Sequence, residues 1–238
     1  MISSAARASA AAGIAGPVAF TSAWIASSLR QTGYPAAEIQ LSGLAAPDAR
    51  DPWIMVAGFA VLGGCTVAFG AALHDALGHA AGGRGRWRGG VGQGRWRGGA
   101  GLAPRLLQGA GLLTIAVGLL RRDRMLLTPG SVSWHNHAHD VISAVIYADL
   151  VAAQVLLAAR FGRDPGPGAE DWRRWRPWML ASGLATGAAL VVFAADTSAA
   201  GAGVLQRVAV TIPLVAIAAI AARLLRTQFR TPVRSGWP

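Results

Sequence analysis

Lysine is absent from this 238-residue chain, whose 22 basic residues are all arginine. Charge of either sign is scarce, at 14% of residues, and only 11 residues are acidic. Cysteine occurs once and tyrosine twice. A soluble helical protein of this size needs a polar face on every surface helix, and the long apolar runs here have none. The single Cys65 excludes an internal disulfide. Arginine without lysine, alongside abundant alanine and glycine, is the mark of a GC-rich genome, so the net charge of +11 need not reflect a demand for guanidinium chemistry.

What the chain has instead is hydrophobic length: 53% of its residues are apolar. A bilayer core about 30 Å thick takes about 20 helical residues to cross. Six stretches meet this, at approximately 8–29, 53–75, 103–121, 139–160, 177–196 and 204–225. The third is the shortest, with an uncharged stretch of only Leu106–Leu120, and borrows residues from Gly101–Arg105. The expected fold is all-α: a polytopic membrane helix bundle of six transmembrane helices, forming a single domain over 1–238. An alternative, that the first run is a cleaved signal peptide, is opposed by Gly16, Pro17 and the lack of a small-x-small site before Arg30.

Orientation follows from where the arginines fall. With the N-terminus inside, sixteen lie in cytoplasmic segments and six outside, as the positive-inside rule requires. Both termini are therefore expected in the cytoplasm, with the protein in a bacterial plasma (inner) membrane. Trp172, Trp175 and Trp178 stand where an inner aromatic belt belongs. Residues 77–101 read as a flexible Arg/Gly/Trp-rich cytoplasmic loop, repeating Gly-Arg-Trp-Arg-Gly-Gly at Gly85–Gly90 and Gly94–Gly99. Arginine interleaved with Trp can stack on single-stranded nucleic acid, but a topology-setting loop touching anionic headgroups is the preferred reading. Membrane lipids are the expected partners, with self-assembly open and nucleic acid not expected.

The connections on the outer side carry the residues that can do chemistry. His135, His137 and His139 alternate; in an extended segment they point one way, and in a helix only His135 and His139 share a face. Imidazoles of this kind suit zinc, but the spacing matches no standard zinc signature, so no cofactor is expected. Asp140 is placed at the first turn of the fourth helix, where the helix dipole favours it. His139, Asp140 and Ser143 are the catalytic candidates for acyl transfer or metal-assisted hydrolysis. Asp149 stands near mid-membrane, where a carboxylate must be paired, protonated or turned to a cavity. Tyr147 is a candidate partner for it. Arg122 and Arg207 either pair with nearby carboxylates or present guanidiniums to a phosphate or carboxylate.

Ordered fragments run along nearly the whole chain: Tyr34-Pro35 and Ser42-x-Leu44, Gly58-Phe59, Gly118-Leu119-Leu120 leading into Arg121-Arg122-Asp123, His139-Asp140, and Leu205-Gln206-Arg207. In this order and spacing the sequence resembles a family of bacterial and archaeal membrane proteins known as domain of unknown function 998. The resemblance implies a six-helix fold and no settled activity. It includes His139 but not His135, His137 or the arginine-tryptophan loop.

The leading expectation is an integral membrane protein of unassigned or non-enzymatic activity. It would bind a lipid headgroup or small anion in an outward-facing polar pocket built from Tyr34, Glu38, Ser42, Arg122, Asp123, Gln206 and Arg207, beside His139 and Asp140. Two alternatives are a metal-dependent integral-membrane hydrolase using His139 and Asp140, and a proton-coupled small-molecule transporter using Asp149.

Overall fold

The computed structural model describes residues 4–81, 101–125, 132–162, 172–195 and 201–227. Six helices emerge from the apolar runs: α1 (Ser4–Arg30), α2 (Trp53–Ala81), α3 (Leu102–Leu119), α4 (Trp134–Phe161), α5 (Arg176–Ala195) and α6 (Ala202–Thr227). A short 3-10 helix, Leu41–Ala45, lies between α1 and α2, and no strand occurs among the described residues. All six helices are long and apolar enough to cross a membrane. Leu29 is 82% exposed and Val191 69%, which suits a surface solvated by lipid tails rather than water.

Two boundaries differ from expectation, each for a local reason. α2 continues to Ala81, past the point at 77 where the loop was expected, running through the single Gly78 and stopping at the glycine pair 82 and 83. The rest of that loop, 82–100, lies outside the described residues. α4 starts at Trp134 rather than 139. Ser133 caps it, its Oγ accepting from the Asn136 backbone N–H at 3.4 Å. Asp140 therefore sits in the second turn, not the first.

Each helix packs against its neighbours in the chain, and α6 closes back on α1, so the six form a ring. Between helices in lipid there is no hydrophobic driving force, and close approach depends on small residues. The α2–α3 seam shows this. A Cβ on Gly63 would lie 2.4 Å from the Gly111 carbonyl oxygen, and one on Gly111 would lie 2.7 Å from that of Gly63. Seven residues along, Gly70 faces the Pro104 carbonyl at 2.9 Å in the same antiparallel register.

The core has two parts. At the end of the bundle where α1 begins and α6 ends, all six helices contribute, among them Ala10, Phe69, Leu107, Leu157, Met179 and Ile220. At the other end the cluster is Phe20, Leu41, Leu44, Met55, Phe59, Leu62, Val117 and Leu214, and α5 adds nothing to it. Leu41 and Leu44 belong to the 3-10 helix, which is buried along its whole length. The 31–52 connection thus folds back as a cap on that end of the bundle.

Candidate ligand cavity and its polar cap

Behind the cap lies a cavity of about 80 Å³, partly open to the surroundings. Its walls are mostly apolar and come from α1, α2, α3, α4 and α6: Phe20, Phe59, Leu62, Val117, Ile146, Leu150, Val210, Pro213, Leu214 and Ile217 are among them. Polar side chains gather on Ser42, His139, Ser143, Tyr147 and Gln206, with Thr66 and Thr114 along the wall. The two threonines are already satisfied, donating to the Leu62 and Ala110 carbonyls of their own helices. No Arg, Asp or Glu lines the cavity among the described residues.

The local fold fixes each polar group. His139 is buried, and its Nδ1 donates to the Leu120 carbonyl at 2.7 Å, where α3 ends. A carbonyl can only accept, so Nδ1 carries the proton and the neutral ring keeps its lone pair on Nε2. Gln206 accepts at Oε1 from the Leu41 backbone N–H at 2.5 Å, tying α6 to the cap. This leaves its amide nitrogen without a partner among the described residues. The Ser42 hydroxyl is buried with no hydrogen-bond partner among the described residues. A buried polar group left unpaired costs about 1–3 kcal/mol; the Ser27 and Ser28 hydroxyls of α1 are in the same state, but only Ser42 faces the cavity.

The structure separates the residues expected to form one pocket. Ser42, His139, Ser143 and Gln206 line the cavity; Tyr34, Glu38, Arg122, Asp123, Asp140 and Arg207 do not. Arg207 serves the cap. Its Nη1 donates to the carbonyls of Ala36 at 2.7 Å, Ile39 at 3.1 Å and Gly203 at 2.7 Å, and its Nη2 donates to the Tyr34 hydroxyl at 2.5 Å. The guanidinium also lies over the rings of Trp24 and Tyr34. The cap comes so close to α6 that a Cβ on Gly203 would meet the Ala36 oxygen at 2.4 Å. Glu38 is exposed and takes no part.

Arg122 is buried beneath the other side of the cap. It donates through Nη1 to Gln40 Oε1, and through Nε to Asn136 Oδ1 at 3.3 Å, and pairs with Asp140 at 3.6 Å. Asn136 in turn donates to Asp140 Oδ2 at 3.0 Å. Burial pulls the Arg122 guanidinium below its ordinary value, while the Asp140 and Asp123 carboxylates push it back up. Asp123 accepts from both the hydroxyl and the backbone N–H of Ser133, which hold its carboxyl below the usual carboxylate range. Asp48 completes the frame by accepting from the Met125 N–H at 2.7 Å.

The alternating histidines are wound onto a helix, so they diverge. His135 is exposed and stacks on Trp134 at 3.7 Å, His137 is exposed, and His139 is buried. No three His, Cys, Asp or Glu side chains converge as metal ligands among the described residues. Asp149 rests against α3, where a Cβ on Gly109 would meet its Oδ2 at 3.4 Å. It has no hydrogen-bond partner among the described residues and does not line the cavity, whereas Tyr147, expected as its partner, does. Sequence reasoning missed the apolar walls of the site because Phe20, Phe59 and Leu214 read like any membrane-span residues. The one usable signal was the Ser143/Tyr147/Leu150 stripe, spaced one helical turn apart below His139.

Six lipid-length helices in a closed ring, with a capped apolar cavity at one end, define an all-α multi-pass membrane protein. More particularly, the model of the family described as protein of unknown function (DUF998) matches residues 14–223, and the chain belongs to that family. No curated protein and no solved structure matches it.

Proposed function

We propose that this protein binds a membrane lipid in the capped cavity, with the chain against the apolar walls and the polar end at Ser42, His139, Ser143 and Gln206. It stands in the plasma membrane with both termini in the cytoplasm and the capped end outward, the orientation that the arginine distribution favours. The observation that carries the reading is the unpaired, buried Ser42 hydroxyl at the polar end of an otherwise apolar cavity. A few convergent polar groups at one end of an apolar pocket are what a small-molecule site looks like.

The available groups also narrow the head. Hydroxyls, one amide N–H₂ and an imidazole lone pair suit an ester, hydroxyl or other uncharged polar group. The guanidiniums of Arg122 and Arg207, candidates for holding an anion, are engaged by carbonyl oxygens, Asn136, Gln40 and Asp140. The ligand is thus held through the uncharged part of its head.

Native mass spectrometry of protein purified in mild detergent tests this. The wild type retains lipid, and Leu214→Trp, which fills the cavity, loses it while keeping its melting temperature within a few degrees. Lipid-free wild-type protein, or equal retention by the variant, refutes the proposal.

A further inference from the structure

The cavity is shut at one end by the cap and at the other by the six-helix core, yet its side wall is incomplete. Residues of α4 and α6 line it, and none of α5 does, although α5 stands between those two helices in the ring. Toward the end where α1 begins and α6 ends, α5 sits tightly on α4. A Cβ on Gly183 would meet Gln154 and Val155 at 3.3 Å, and Ser182 donates to Gln154 Oε1.

One turn further toward the cap Thr186 is still fully buried, and beyond it the close packing of α5 ends. Gly187 lies on the same face as Gly183, four residues on, and a Cβ there meets nothing within 4 Å. From Gly187 to Ala195 no residue of α5 is buried, and none of α4 is buried between His139 and Ala153. The core cluster at the capped end likewise contains no α5 residue. α5 therefore diverges from α4 at the level where Tyr147 and Leu150 face the cavity.

We propose that this divergence is a side opening through which the hydrocarbon chain of a bilayer lipid passes from the surrounding leaflet into the cavity. The ligand then comes from the membrane rather than from water, and its chain never crosses an aqueous phase, where its exposure is unfavourable. The cap explains why the route is lateral. Arg207, Gln206 and Arg122 tie it to α6 and to the α3–α4 connection, closing the way along the bundle axis. The inference rests on the lipid-binding reading, and its test separates the two.

The full-length protein is reconstituted in vesicles of phosphatidylethanolamine and phosphatidylglycerol containing a phospholipid with a diazirine in its acyl chain. After irradiation, adducts are mapped by mass spectrometry in the wild type, in Gly187→Ala, and in the graded series Gly187→Leu, Gly187→Phe and Gly187→Trp. Wild type and Gly187→Ala carry adducts on the cavity residues of α4 and α6. In the graded series these decline with side-chain size and are lost in the largest folded variant, while adducts on lipid-facing Val191 and Val192 persist. The persisting adducts show that a variant is folded and inserted, and the smaller members carry the test if Gly187→Trp does not fold. Cavity adducts that are unchanged along the series overturn the side opening and leave lipid binding standing. A wild type labelled only on its outward surface overturns the binding reading and the opening with it.

Discussion

Single side chains decide whether the cap stays closed. Arg207 meets four oxygens on two segments, and hydrogen bonds from a charged donor are worth more than neutral ones. Arg207→Ala is expected to cost on the order of 3 kcal/mol and to loosen residues 34–41, while Tyr34→Phe costs about 1 kcal/mol; thermal melts in detergent with hydrogen exchange on the cap read both. On sequence grounds Arg207 was expected to line the ligand pocket; its guanidinium holds the cap instead. Asp123 acts on the start of α4 through Ser133. Its folded pKa is depressed, so its contribution is present above the unfolded value near 4 and is lost as pH falls through the lower folded value. Melting temperature measured from neutral to acid pH should fall in that window for the wild type and fall less for Asp123→Asn, whose neutral side chain has no proton to gain. Asp149 was conspicuous in the sequence because charge is costly in lipid. Its place against Gly109, away from the cavity, could not be read from the chain.

At the scale of the elements, helix existence was legible and helix neighbours were not. Lengths near 20 apolar residues place all six spans whatever packs against them. Where a helix starts depends on shorter-range chemistry: Ser133 moved the beginning of α4 back by five residues relative to the apolar run. Close pairing of α2 with α3 rests on two glycines whose backbones nearly touch. Gly63→Leu should prevent that seam from closing, because even a Cβ lies 2.4 Å from a backbone oxygen that cannot move aside. The expected outcome is loss of a monodisperse peak in size-exclusion chromatography, whereas Gly64→Leu, where a Cβ meets nothing within 4 Å, retains it.

For the whole molecule, the ring closure of α6 on α1 creates the enclosed space, and the folded-back 31–52 segment gives it a lid. In the proposed orientation, which the arginine asymmetry favours, that lid faces outward. A fluorescent or phosphatase reporter fused after Pro238 should report a cytoplasmic C-terminus: fluorescent in the first case, inactive in the second. An active phosphatase fusion would invert the bundle and put the capped cavity in the cytoplasmic leaflet.

By itself the sequence determined what depends on local composition. Apolar length fixed six membrane-spanning helices, and the ordered fragments from Tyr34 to Arg207 pointed to the family. It also marked Ser42, His139, Ser143 and Gln206 as residues of interest, since polar groups at span ends stand out against an apolar background. Only the tertiary structure decided how these divide. Ser42 from the cap, Gln206 from α6 and His139 with Ser143 from α4 meet at one cavity, while Arg122 and Arg207, equally prominent in the chain, are turned to hold its lid. The physical reason is that a guanidinium leaving water takes whatever oxygens surround it, and which oxygens those are depends on the ring of helices, not on the residues beside it in sequence.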